Sequence, residues 1–213
     1  MNAANPSLSS IILSSELNSL DEQPSGVYTY PISEGEIMNP GALEYLNNTA
    51  NIRVAGASRK KNRLVKDAAR WMMGYYLGNR LSSNIILEIN IIKDLKDTNI
   101  YGSVLWSDSN IRPREFDMEL CYYINDRTLF RILAHEIVHV KQYATGDLKD
   151  LTVKANYCKW KNNLVLAEGR GSGSYFDLPW EKEARKYQEV IFNEWRKAHG
   201  YHFRKKSGEM YSD

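Results

Sequence analysis

Within this chain of 213 residues, the run His135-Glu136-Ile137-Val138-His139 constrains the fold more than any other feature. Residues four apart stack on one face only in a helix. The run must therefore sit mid-helix if its two imidazoles are to act together. Ile132, Leu133, Val138 and Val140 bracket it with apolar residues, which makes that helix a core element rather than a surface one. The chain contains four histidines, so a chance pairing at this spacing is improbable on composition alone.

The spacing matches HExxH, in which two imidazoles reach one metal ion and the intervening carboxylate lies beside it. A zinc ion held by three protein ligands and one water lowers that water's pKa to roughly 7. In that arrangement Glu136 takes the proton of the attacking water and passes it to the leaving amine. His135 and His139 are the expected zinc ligands and Glu136 the expected general base.

The third ligand needs a further residue. A histidine six positions after His139 would complete a three-histidine metzincin site, but that position is Thr145, and His199 and His202 lie far downstream. A carboxylate on a later helix is the other solution, and Asp177-Leu178-Pro179-Trp180-Glu181-Lys182-Glu183-Ala184-Arg185 offers two. Ala184 shares the face of Glu181 and is small enough to let its helix pack closely on the active-site helix. Both glutamates also favour a helix N-terminus electrostatically, with no ligand role.

HExxH combined with Glu181-Lys182-Glu183-Ala184 resembles the gluzincins, including the ImmA/IrrE-type peptidases, which pair HExxH with a glutamate in an E-x-x-A segment of the following helix. The stretches His135–Gln142 and Tyr175–Arg185 also resemble small HExxH proteins of phages and bacteria. The resemblance covers the chain from about Arg114 onward. It implies Glu181 as the third zinc ligand, with Glu183 the alternative that would point elsewhere on the helix. It also implies a zinc metallopeptidase cleaving a protein or peptide.

Around the motif, periodicity predicts an α+β domain. Val65, Ala68, Ala69, Met72 and Tyr76 recur at helical spacing within Arg63–Leu81. Ile85–Ile92 is β-branched, with Leu87, Ile89 and Ile91 on one face, and Tyr101–Trp106 reads as a short strand. Arg114–Tyr123 alternates strictly, Phe116, Met118, Leu120 and Tyr122 against Glu115, Asp117 and Glu119. Asn125 or Asp126 caps the motif helix, which runs to about Ala144 and stops at Gly146. Thr152–Val165 reads as a hairpin turning near Asn162-Asn163, and Gly169–Gly173 as a loop. Pro179 opens a last helix that runs to His199 and stops at Gly200. The expected whole is a zincin-like single domain over 27–200: a small sheet on the active-site helix, then a hairpin, then the second ligand-bearing helix.

Met1–Gly26 reads as an arm in which Ile12, Leu13, Leu17 and Leu20 line a short helix. Asn47–Asn62 reads as a polar surface loop, and Tyr201–Asp213 as a polar tail. The strand before the motif helix is a candidate cleft wall that pairs with an extended substrate. Gln142, seven residues beyond His135, hydrogen-bonds a ligand, lines the cleft or is a solvated helix residue. Tyr175, Arg185, Tyr187 and His199 are candidates to stabilise an oxyanion.

A net charge of +2 argues against a dedicated nucleic-acid partner, despite the basic runs Arg59-Lys60-Lys61 with Arg63 and Arg204-Lys205-Lys206. Cys121 and Cys158 are isolated and read as two free thiols. With no signal-like or membrane-spanning run, the expected location is the cytoplasm, with no membrane partner. Two other readings remain: a silent zincin-fold interaction module, and a nucleic-acid-associated protein using the basic loop and tail.

Overall fold

The alternation over 115–121 finds partners on both sides. The computed structural model describes residues 10–13, 50–93, 100–151, 157–166 and 177–200. In chain order these form β1 (Ser10–Leu13), β2 (Asn51–Ala55), α1 (Arg59–Leu77), α2 (Asn79–Ser82), β3 (Ile86–Ile92), β4 (Ile100–Trp106), β5 (Glu115–Cys121), α3 (Asp126–Thr145), β6 (Leu148–Asp150), β7 (Tyr157–Trp160), β8 (Asn163–Leu166) and α4 (Pro179–His199). The architecture is mixed α+β.

The larger sheet has the order β1-β4-β5-β3-β2. β3 lies parallel to both β2 and β5, while β4 runs antiparallel to β5 and to β1. β5 is thus central and paired on both edges, so it cannot receive a substrate strand. This corrects the expectation placed on Arg114–Tyr123. The smaller sheet, β6-β7-β8, is an antiparallel meander.

One face of the larger sheet is buried through Leu87, Ile89, Ile91, Phe116, Met118 and Leu120. The other carries Ile86 and the Arg53–Glu88 ion pair, and faces outward. α1 and α3 pack on the sheet, and α4 packs on α3. Between sheet and α4, helix α3 is buried almost all round, which is why Leu129 to Val140 contains so few polar residues. Its start is fixed by Asn125, whose side chain accepts from the Thr128 amide at 2.9 Å. Its end is fixed by Gly146, which adopts φ 79°. Trp195 of α4 packs against Phe130 of α3 with ring centroids 4.5 Å apart and planes tilted by 34°, and Ala184 is fully buried.

Three segments differ from the sequence reading. Within Asn47–Asn62, residues 51–55 form β2 and helix α1 begins at Arg59, capped by Ser58. Ile12 and Leu13 lie in a strand rather than a helix, because the outer edge of β4 offers ladder hydrogen bonds that a short apolar segment can fill. Leu17 and Leu20, the loop Gly169–Gly173 and the tail from Tyr201 lie outside the described residues. The hairpin turns one residue early, at Lys161-Asn162, both with positive φ. Cys121 and Cys158 are buried and unbridged. Burial, and then the Asp150 carboxylate beside it, push the Cys158 thiol well above its ordinary range. Among the described residues no helix is long and apolar enough to cross a membrane.

Candidate metal centre

Helical geometry brings the imidazoles of His135 and His139 onto one face of α3, with ring centroids 4.8 Å apart. That face looks toward the first turn of α4, where Pro179 sets the helix start and Glu181 follows two residues on. The His135 and His139 Nε2 atoms lie 3.0 Å apart. Glu181 places Oε2 3.4 Å from Nε2 of His135 and Oε1 3.5 Å from Nε2 of His139. All three side chains are at most 1% exposed. Together they form a buried group able to hold a metal ion.

The fit can be tested by distance. Tetrahedral bonds of 2.0–2.1 Å imply donor atoms about 3.3 Å apart. The two Nε2 atoms lie 3.0 Å apart, and each faces a different oxygen of Glu181, at 3.4 and 3.5 Å. The three side chains thus crowd one point, with a single donor from each within 4.8 Å of the others. Burial alone would raise the Glu181 carboxyl, but facing His139 and His135 outweighs it and holds the group well below the ordinary carboxylate range.

No protein-family model matches this chain, and no curated protein or solved structure matches it either. Its function must be argued from the centre itself.

Glu183 takes no part in the trio. It accepts from Gln142 Nε2 at 2.9 Å and pairs with Lys161 at 2.8 Å. Two glutamines back the histidines. Gln142 Oε1 lies 2.7 Å from His139 Nδ1, and Gln188 Oε1 lies 2.9 Å from His135 Nδ1. Gln142 was legible as a candidate. Gln188 was missed, although it lies seven residues after Glu181, two turns along the same face of α4.

Glu136, between the two histidines in sequence, is fully buried. β4 crosses it at Gly102, where an added Cβ would stand 2.4 Å from Ile132 Cγ2 and 2.9 Å from Glu136 Oε1. Only a glycine allows that approach. Of the oxyanion candidates, Tyr175 lies outside the described residues. His199 is 18 residues beyond Glu181 on α4, roughly 27 Å along the axis. It sits instead against Trp71 and Trp195. The Tyr187 ring contacts Tyr76. Of the first basic run, Lys61 pairs with Asp126 at 3.2 Å; the second lies outside the described residues.

Proposed function

We propose that this chain is a zinc-dependent peptidase with a zincin-like domain, in which His135, His139 and Glu181 hold the metal and Glu136 is the general base. The observation that carries the reading is the convergence of three buried metal-ligating side chains, with the Glu136 carboxylate on the same helix as the two histidines. Two imidazoles and one carboxylate form a donor set that suits zinc. Zinc, when bound, supplies Lewis acidity and lowers the pKa of water at its open position.

Glu136 accepts the proton of the attacking water as the oxygen adds to the scissile carbonyl. It then delivers that proton to the amide nitrogen as the C–N bond breaks, releasing an amine and a carboxylic acid. The enclosed setting strengthens the charges that guide this transfer. The substrate class is a protein or peptide.

The deciding experiment is Glu136→Gln, which keeps the side chain's shape and removes the base. It should retain one zinc per chain and an unchanged unfolding midpoint. Cleavage of a labelled protein that wild type hydrolyses should fall roughly 100- to 10,000-fold. Equal rates would end the water-activation reading, and loss of zinc would make Glu136 a ligand. The enclosure of the site favours a second reading, a metal-bearing interaction module without turnover. Zinc bound stoichiometrically, with no cleavage by wild type across a panel of labelled proteins and unstructured peptides, would favour it.

A further inference from the structure

We infer that Gln142 and Gln188 are positioning residues that fix the tautomers of the two histidines and so aim both Nε2 lone pairs at one point. The inference rests on the metal centre proposed above, and begins from which end of each amide faces which partner. The Gln142 amide nitrogen lies 3.1 Å from the Trp180 carbonyl oxygen and 2.9 Å from Glu183 Oε2. A carbonyl only accepts, and so does a carboxylate that is paired with Lys161. The amide must therefore present its NH2 there and its oxygen to His139.

That oxygen can only accept, so Nδ1 of His139 carries the hydrogen and Nε2 is bare. The same logic holds at the other ligand. Gln188 Nε2 donates to Glu189 Oε1 at 3.1 Å, and Glu189 is paired with Arg131. Its Oε1 is then turned to the Nδ1–H of His135. Each histidine is thus held by a relay that ends in a cation: Lys161–Glu183–Gln142–His139 and Arg131–Glu189–Gln188–His135.

The residue type follows. Only an amide of this length accepts from an imidazole at one end and donates to a carbonyl or carboxylate at the other. A glutamate at 142 would set its second oxygen against Glu183 and the Trp180 carbonyl.

The test measures zinc affinity by competition with a chromogenic chelator, with thermal unfolding of the metal-free proteins as the control for folding. Gln142→Met and Gln188→Met keep the length without the hydrogen bonds and should each weaken zinc binding about 10- to 100-fold. Gln142→Glu should also weaken it. Adding Glu183→Gln to that variant should recover part of the loss, because an amide at 183 can donate to the new carboxylate. A role in packing alone predicts no such rescue. Independently, NMR of zinc-loaded, 15N-histidine-labelled wild type should show two slowly exchanging Nδ1–H protons.

Zinc on Nδ1 of either histidine would overturn the inference, as would methionine variants that bind zinc like wild type. A wild-type protein that takes up no zinc would instead bring down the proposed function, and this inference with it.

Discussion

Glu181 and Glu183 stand two positions apart on α4, about 200° around the helix, and that angle separates their roles. Glu181 faces the imidazoles; Glu183 faces Gln142 and Lys161. Glu181→Ala should abolish stoichiometric zinc binding, as should His135→Ala or His139→Ala, while Glu183→Ala should keep the metal. Metal analysis after gel filtration decides it, and the reverse pattern would exchange the two glutamates. Gly102 poses a tighter constraint. Gly102→Ala drives a methyl group into Ile132 and Glu136, so it should cost about 1–3 kcal/mol of stability by denaturant titration. It should also lower turnover by displacing the base. An alanine variant as stable and active as wild type would show that β4 does not press on Glu136. The HExxH residues were legible because their chemistry needs a fixed local spacing. The choice of Glu181 over Glu183 came from the E-x-x-A resemblance rather than from local propensity, because both suit the first turn of a helix and the packing of α4 on α3 is what separates them.

At the scale of elements, what was legible depended on whether the determinant was local. Asn125 with Gly146, and Pro179 with Gly200, mark the ends of α3 and α4 to within a residue, because caps act through their own neighbours. β2 was hidden. Its residues Asn51, Arg53 and Ala55 are exposed, and its identity comes from a ladder to β3 such as Ile52↔Leu87, far away in sequence. The hairpin turn moved by one residue where Trp160 meets Trp180 and Lys161 meets Glu183, contacts no local pattern encodes. β1 is the most consequential of these. It covers the outer edge of β4, with the register shifting between Ile11↔Ser103 and Leu13↔Ile100, opposite the stretch that holds Gly102. It also lies against α3. An extended substrate using that edge must displace β1. Removing residues 1–13 should therefore speed amide hydrogen exchange at Val104, whose N–H faces β1, and raise peptide turnover. Unchanged exchange in the truncated chain would mean that β1 does not protect the edge.

For the whole molecule, the centre joins the two helices that hold the α-layers together, α3 on the sheet and α4 on its outer side. A metal bound only by the folded chain stabilises it by mass action, by about 4 kcal/mol when free zinc exceeds its dissociation constant a thousandfold. A chelator should therefore lower the thermal midpoint, and the shift should grow with added zinc. The pH sense follows from the ligands. Glu181 is depressed in the folded state, so the unfolded chain takes up its proton first. Its stabilising share is present above the ordinary carboxylate range and is lost as pH falls through the folded value. Zinc must also compete with protons for both imidazoles, so the zinc-dependent increment should shrink steadily on acidification from pH 8. Urea titrations at several pH values, with and without zinc, measure that increment directly. Identical midpoints with zinc and with chelator at pH 8 would mean that the ion does not couple α3 to α4. An increment that grew on acidification would mean that protons and metal do not share these three side chains.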